Sequence, residues 1–239
     1  MTKRHLFSLN APANWPIERK KNIWITRPNP GPHPLNKCLP ISILLKQLLR
    51  YARTAREVRT ILNSGDIIID NKVRKDYRFP VGIMDSISIK KTDENFRLFI
   101  NEDNKYQLNK INKDEIKLKP CKIINKRILK KGKIQLNLYD GKNILVDKDS
   151  YKVGDTIIID LEKKQIINHL KLAKGATIYL TAGKYIGHIG KLNDSFTEKG
   201  MQPNKIEVIK GKEKFVTLKD YAFVVPEDLF KWIRWKILE

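Results

Sequence analysis

Hydrophobic positions recur at helical spacing between residues 41 and 64 and at a spacing close to two from about residue 96 to 172. One helical stripe is formed by Ile41, Leu44, Leu45, Leu48 and Leu49. It predicts an amphipathic helix that begins after Pro40. From about residue 96 to 172, short strand-like runs alternate with turn signals, which is typical of an antiparallel barrel or sandwich. The pattern therefore predicts a multi-domain α+β chain that is mainly β.

A second helix is predicted from Thr54 to about Ser64, because Thr54 and Glu57 form a T-x-x-E capping box. Its core-facing residues are predicted to be Ala55, Val58, Ile61 and Leu62. Gly65 then stands where a left-handed C-terminal cap is needed. A hairpin comes next, with its turn at Asp70-Asn71. These elements predict a small α-α-β unit over residues 41–95.

Turn residues organise the second half of the chain. Ile134 to Leu138 alternates in polarity and is followed by Asp140-Gly141, a strong hairpin signal. The glycines between short apolar runs further on are Gly175, Gly183, Gly187 and Gly190. No helix pattern or suitably placed acid follows them, so they indicate tight turns in a small barrel rather than a dinucleotide-binding turn.

Both ends of the chain differ from its middle. Residues 1–40 contain most of the 11 prolines, which predicts an extended, irregular arm. Trp15 and Trp24 within it either anchor the arm on the protein's own core or stack on exposed bases, and the sequence leaves both interpretations open. Residues 226–239 predict a terminal helix, because Pro226 and the acids after it suit a helix start.

The charge of the chain narrows the class of partner. Lys and Arg number 48 against 26 Asp and Glu, a formal net charge of +22. Such an excess opposes compact folding unless a polyanion neutralises it, which favours nucleic acid over a membrane surface. No apolar run approaches the ~20 residues of a spanning helix, and no signal peptide is recognisable. The isolated Cys38 and Cys121 indicate buried thiols in a reducing compartment.

Candidate RNA-binding residues are cations, together with aromatic rings interleaved with them, in the arm, the α-α-β unit and the glycine-rich segment. They are Lys3, Arg4, Trp15, Arg19, Lys20, Lys21, Trp24, Arg27, His33, Lys46, Arg50, Arg53, Arg56, Arg59, Lys72, Arg74, Lys75, Lys174 and Lys184.

Motifs of catalysis are missing from the sequence. The four histidines are scattered without metal-ligand spacing, and neither a nucleophile elbow nor a phosphate-binding loop is present. Asp70 is interpreted as a turn residue, and Asp66, Asp76 and Asp85 as partners that offset neighbouring arginines. We therefore predict no catalytic residue, no metal site and no cofactor.

Three blocks of sequence resemble the archaeal and eukaryotic small-subunit ribosomal protein family S4e. Residues 11–33 resemble its N-terminal arm, residues 56–89 an S4-type RNA-binding domain, and residues 183–192 (GKYIGHIGKL) a KOW motif. The likeness covers nearly the whole chain in the same order, and WPIERKKNIW looks more archaeal than eukaryotic. The terminal PEDLFKWIRWKILE departs from the family pattern.

The resemblance implies a non-enzymatic structural constituent of the small ribosomal subunit, cytoplasmic and without a cofactor. It would bind small-subunit rRNA beside neighbouring ribosomal proteins, with no membrane and no homo-oligomer. The expected division is an arm at 1–40, an S4-type domain at 41–95, a central β domain at 96–172, a KOW, SH3-like barrel at 173–225 and a helix at 226–239. Deletion of residues 1–33 is expected to leave the melting of the folded domains largely intact.

Two other functions remain open on the sequence. One is an rRNA-modifying enzyme with an S4-type domain, such as a pseudouridine synthase, which would need a catalytic domain with a poised Asp. The other is a free KOW-containing translation or transcription factor.

Overall fold

Antiparallel sheets make up most of the structure, and its helices are short. The computed structural model describes residues 5–147, 149–196, 203–211 and 213–226. Two compact units are present: residues 1–100 with 104–119, and residues 101–103 with 120–239. The prediction of a mainly β chain is thus confirmed. The predicted terminal helix lies, beyond Pro226, outside the described residues.

The first unit combines short strands with three short α-helices among its described residues. In chain order its elements are β1 (Leu6–Phe7), β2 (Trp24–Ile25), β3 (Cys38–Pro40), α1 (Ile41–Ile43), α2 (Ala55–Asn63), β4 (Ile67–Ile69), β5 (Lys72–Val73), β6 (Pro80–Gly82), β7 (Ser86–Ile89), β8 (Glu94–Ile100), β9 (Tyr106–Lys110) and α3 (Lys113–Ile116). One antiparallel sheet has the order β5-β4-β7-β8-β9, while β1 pairs with β2 and β3 with β6.

Helix α2 forms for the reasons that its sequence indicates. Thr54 is the N-cap, and its hydroxyl accepts a hydrogen bond from the Glu57 amide at 3.2 Å. Gly65 follows the helix with φ of +77°, in the left-handed region. Val58 and Leu62 are buried as predicted, but Ala55 is exposed, which corrects that prediction. Ala52, which precedes the cap, takes the buried position instead.

The helix predicted after Pro40 begins as α1 and continues as a π-helical turn at Leu44–Leu48. The amide of Leu49 donates to the carbonyl of Leu44 at 3.0 Å, one residue further back than in an α-helix. Ile41, Leu44 and Leu45 are fully buried and Leu48 and Leu49 half-buried, so the first part of the apolar stripe packs inward. The apolar spacing alone gives no sign of this π turn.

The predicted hairpin is present between β4 and β5. Asp70 and Asn71 have φ of 49° and 60°, the positive values that a two-residue hairpin turn requires. Strand β8 pairs with β7 and then with β9, with Ile100 opposite Tyr106. The structure therefore places β8 in the sheet of the first unit, so this sheet crosses the domain boundary expected near residue 95.

The proline-rich arm makes backbone and side-chain contacts within the first unit. Its end, β3, pairs with β6 so that Cys38 lies opposite Gly82. Trp15 is fully buried, and its indole Nε1–H donates to the carbonyl of Cys38 at 2.8 Å. Backbone pairing and an aromatic anchor therefore join the arm to the first unit.

A buried lysine pairs with two carboxylates inside the same unit. The Nζ of Lys119 donates to Asp70 and to Asp85, each at 2.5 Å, and the Nε2 of His33 lies 3.1 Å from Asp85. Burial acts to raise the pKa of Asp85, but the charges of Lys119 and His33 outweigh it and hold that pKa below its ordinary value. The expectation that Asp85 offsets arginines is wrong, since its partners are a lysine and a histidine.

The second unit contains two five-stranded antiparallel sheets among its described residues. Its strands are β10 (Leu118–Ile128, which begins in the first unit), β11 (Ile134–Leu138), β12 (Asn143–Val146), β13 (Thr156–Asp160), β14 (Ile166–Leu170), β15 (Thr177–Leu180), β16 (Ile189–Phe196), β17 (Lys205–Lys210), β18 (Glu213–Leu218) and β19 (Ala222–Val224). The sheet orders are β12-β11-β10-β13-β14 and β18-β17-β16-β15-β19.

Each sheet of the second unit buries its own apolar cluster. The first cluster includes Cys121, Ile123 and Leu136, and the second includes Ile178 and Ile206. The hairpin predicted after β11 is confirmed, but sequence analysis does not predict β10, because lysines break its alternation. In the described part of the second sheet, no pairing joins β18 to β19, so its closure into a barrel stays a prediction.

Gly175, Gly183 and Gly187 have the positive φ of the predicted turns, whereas Gly190 lies inside β16 opposite Ile178, which corrects that prediction. Gly183 and Gly187 have φ of +87° and +78°, which side chains with a Cβ rarely adopt. A Cβ at Gly187 would lie 2.3 Å from the backbone of Asn101, so the position also needs a close approach. The glycines act through backbone geometry, as the sequence indicates.

Candidate nucleic-acid interface

The outer face of α2 presents arginines to solvent. Arg53, just before the N-cap, Arg56 and Arg59 are all exposed, and within the described residues none of their guanidinium groups makes an ion pair. Glu57 accepts a hydrogen bond from the backbone amide of Arg53 at 2.8 Å, which, with the Thr54 hydroxyl, lowers the pKa of Glu57. The acid on this helix therefore serves the cap, and the arginines stay available to an anion.

The β4–β5 hairpin continues the cationic surface. Lys72 and Lys75 are exposed, and Arg74 is half-buried. The guanidinium carbon of Arg74 lies 4.1 Å from the centroid of the Phe79 ring. Stacking of this kind restricts an arginine before it meets a ligand, which lowers the entropy lost on binding.

Tyr77 and Arg78 belong to the same surface, although the sequence analysis does not include them. The guanidinium carbons of Arg59 and Arg78 lie 5.1 Å and 5.2 Å from the centroid of the Tyr77 ring. The Nε of Arg78 also donates to the Tyr77 hydroxyl at 2.9 Å. The alternation of cations and rings in RKDYRF is the signal that would have identified them.

The two tryptophans of the arm have different environments. Trp24 is 53% exposed, and Phe7 stacks on it with ring centroids 4.3 Å apart and planes 25° apart. Trp15, in contrast, is fully buried and hydrogen-bonded to Cys38. The structure favours the core-anchor interpretation for Trp15 and leaves Trp24 accessible for stacking.

Two further candidates in the arm, Arg19 and His33, make their contacts to other residues of the protein. The Arg19 guanidinium donates to backbone carbonyls, including that of Ala11 at 2.8 Å and that of Pro12 at 2.7 Å. His33 is 4% exposed and contacts Asp85. These side chains hold the arm in place, whereas Lys20 and Lys21 are exposed.

The remaining candidates are distributed over both units. Lys46 is half-buried on the π turn, and Arg50 is exposed with φ of 56°. In the second unit, Lys174 pairs with Asp194 at 3.2 Å, and the Lys184 Nζ lies 5.5 Å from the centroid of the Tyr185 ring. Arg27 is half-buried. Lys3 and Arg4 lie outside the described residues.

Among the described residues, no group of three or more His, Cys, Asp or Glu side chains is placed to hold a metal ion. No helix in the described part of the chain has the length and apolarity needed to cross a membrane. The geometry is that of exposed cations and rings, which suits phosphates and unpaired bases.

Comparison with protein families and with known proteins gives consistent matches. A model of the domain described as RS4NT (NUC023) matches residues 2–36, and one described as Ribosomal family S4e matches residues 92–166. A protein of Methanococcus maripaludis named small ribosomal subunit protein eS4 is 38% identical over 236 residues, covering 95% of this chain and 95% of its own length. A protein of the same name from Methanothermobacter thermautotrophicus is 37% identical over 228 residues, with coverages of 95% and 94%.

A solved structure is also similar. The crystal structure of the 30S ribosomal protein S4e from Thermoplasma acidophilum superimposes with a TM-score of 0.69 at 28% sequence identity. The match covers 79% of this chain and 95% of that one. Sequence and fold therefore point to the same group of proteins.

Proposed function

Because this chain belongs to the S4e family of ribosomal proteins, we propose that it is a structural constituent of the small ribosomal subunit. In that role it binds and stabilises small-subunit rRNA during assembly and translation, in the cytoplasmic ribosome. Its relatives bear the name of a ribosomal protein, so neither a modifying enzyme nor a free factor is proposed. Its partners are rRNA and other ribosomal proteins, and it acts without a cofactor.

The exposed arginine face of α2 carries the finer proposal. Arg53, Arg56 and Arg59, with the hairpin cations Lys72 and Lys75, contact rRNA phosphates. Their support is that they are exposed and, within the described residues, form no ion pair that would compete with a phosphate. Contacts of this kind position a protein on RNA without reading sequence, so recognition rests on RNA shape and unpaired bases.

Salt dependence of rRNA binding tests this assignment. Each lost phosphate contact reduces the slope of log affinity against log salt by roughly one unit, so the triple variant Arg53→Ala/Arg56→Ala/Arg59→Ala should lose about two to three units. Binding of the full chain to small-subunit rRNA transcript is measured over a range of salt concentrations. An unchanged slope would show that this face does not touch RNA.

A matched control separates contact from net charge. Lys91, Lys110 and Lys113 lie in the same unit, are 71–75% exposed, and each pairs with an acid. Their triple alanine variant removes the same formal charge but should change the slope by less than one unit. Equal effects of the two triple variants would attribute the loss to overall charge.

Assembly provides a second test of the role. A structural constituent stays with small subunits through a high-salt wash and sedimentation, whereas a free factor is released. We further propose that the protein enters the subunit as a single copy and meets neighbouring ribosomal proteins there. A monomeric sedimentation coefficient for the isolated chain is the expected result.

A further inference from the structure

The first unit contains a cavity that the α2 face does not explain. It has a volume of about 270 Å³ and is lined by residues of the arm, the π turn and the segment before α2. Among them are Lys21 and Trp24 from the arm, Lys46 and Gln47 from the π turn, and Arg53. We call this space the arm cavity.

The lining of the arm cavity is cationic. Lys21, Lys46 and Arg53 face one acid, Glu18, which pairs with Lys21 at 3.1 Å. Both members of that pair are about 70% exposed (69% and 71%), so water screens their attraction and an incoming anion competes with it easily. The cavity is therefore suited to a phosphate.

The cavity also has an aromatic wall. Trp24 remains 53% exposed although Phe7 stacks on it at 4.3 Å, and the His5 ring lies 5.3 Å away at a tilt. A ring that a stacked neighbour holds in place and that is still half exposed can stack on a base.

A buried hydroxyl also belongs to a lining residue of the cavity. Ser42 lines the cavity and is 5% exposed, yet within the described residues its Oγ makes no hydrogen bond. A buried polar group without a partner is costly, and each such group in a folded protein calls for an explanation. The amide of Gln47, also in the lining, adds a donor and an acceptor.

We propose that the arm cavity binds one unpaired nucleotide of an RNA strand, with its base on Trp24 and its phosphate among Lys21, Lys46 and Arg53. The volume, close to the lower end of the ~300–1,000 Å³ of small-molecule sites, is far too small for an RNA helix and limits the occupant to about one nucleotide. Arg53 belongs both to the cavity lining and to the α2 face, so the strand's backbone continues onto that face. The inference rests on the proposed function, since it specifies one contact of rRNA binding.

Binding of short RNAs by the full chain tests the proposal. The probes are a single strand of about ten nucleotides, within the ~4–16 that single-strand sites cover, a blunt duplex of the same length, and uridine and adenosine monophosphate. Trp24→Ala should weaken single-strand binding about 5- to 150-fold and leave duplex binding within about twofold. Lys46→Ala should also weaken single-strand binding and leave duplex binding nearly unchanged. Agreement between the two variants would show that the loss in Trp24→Ala does not come from misfolding around Trp24. Arg56→Ala, outside the cavity, should weaken both single-strand and duplex binding.

The outcomes separate the two proposals. Equal losses for strand and duplex in Trp24→Ala, or no loss for either, would overturn the nucleotide site while rRNA binding stands. A monophosphate that binds as tightly as the strand would overturn the assignment to an RNA strand. If the unaltered chain binds no RNA at low salt, the proposed function itself fails.

Crosslinking gives a second readout that needs no substitution. Small-subunit rRNA containing 5-bromouridine is bound to the full chain, irradiated and digested, and the crosslinked peptides are identified by mass spectrometry. The peptide that carries Trp24 should crosslink, and the peptide that carries the buried Trp15 should not. Trypsin separates them at the basic run from Arg19 to Lys21. A crosslink on Trp15 without one on Trp24 would contradict the site.

Discussion

Replacing Lys119 with methionine should strongly destabilise the first unit. The substitution keeps an unbranched side chain of similar length but removes the ammonium that lies 2.5 Å from Asp70 and 2.5 Å from Asp85. Lys119 is fully buried and Asp85 is 1% exposed, so water cannot replace the lost partner. Breaking a buried pair in this way costs about 3–5 kcal/mol, a large part of the ~5–15 kcal/mol that stabilises a typical domain.

The pH dependence of this cost has a definite sign. The pKa of Asp85 is lowered in the folded protein, so the pairing of its carboxylate stabilises the fold fully above the unfolded-state pKa of about 3.9. This stabilisation is lost as pH falls from that value through the lower pKa of the folded state. In Lys119→Met the Asp85 carboxylate keeps His33 and the Gly82 amide but loses its ammonium partner, so its burial is costly at neutral pH and becomes tolerable once the carboxyl is protonated. The difference in unfolding free energy should therefore be largest near pH 7 and shrink toward acid.

Urea unfolding at neutral and acid pH measures the effect. Because the chain has two compact units, hydrogen exchange of the β7 segment beside Asp85 identifies which unit loosens. Lys91→Met is the matched control, since Lys91 is 72% exposed and pairs with Asp66 at 3.1 Å. It should change stability by less than about 1 kcal/mol. If Lys119→Met costs no more than this control, or its cost does not fall at acid pH, the argument from buried charge is refuted.

Three further predictions concern the junction of the arm with the first unit. Gly82→Ala should cost about 1–3 kcal/mol, because its Cβ would lie 2.5 Å from the His33 ring, and thermal melting should record the loss. Trp15→Ala should lower the free energy of unfolding by about 3–5 kcal/mol, and Trp24→Ala by much less. Deletion of residues 1–33 should therefore lower stability, contrary to the expectation from sequence. Unchanged urea unfolding of the deletion variant would contradict the role of Trp15 as an anchor. Burial, and to a smaller extent the charge of Asp85, raises the pKa of the Cys38 thiol to about 12. Alkylation of Cys38 at pH 8 should therefore require unfolding. Labelling of the folded chain as fast as that of the unfolded chain would disprove this.

Local chemistry predicted the elements that depend on a few neighbouring residues. The cap at Thr54, the positive φ at Gly65 and the Asp70-Asn71 turn each follow from backbone needs that adjacent side chains satisfy. The charge favoured nucleic acid as the partner, and the family resemblance narrowed it to small-subunit rRNA. These parts of the fold and of the candidate interface were accessible from sequence.

Contacts distant in sequence were not accessible in the same way. Lys119 meets Asp70 and Asp85 across 49 and 34 residues, and nothing near any of them indicates the pairing. Trp15 and Trp24 share the composition of one arm, yet Trp15 is buried and donates to a carbonyl 23 residues away, whereas Trp24 is exposed. Tertiary placement, which local pattern does not encode, thus determined which candidates remain available to RNA.

The π turn at Leu44–Leu48 fixes which side chains line the arm cavity. A π turn holds one residue more than the α-helical turn it replaces, so it behaves as a single-residue insertion within a helix. Removing one residue there would restore α-helical winding while the residues on either side of the turn keep their places, so the change falls on the turn itself. Lys46 and Gln47, which lie in that turn and line the cavity, would then change their direction relative to it. Chain length at this turn, as much as residue identity, therefore specifies the site.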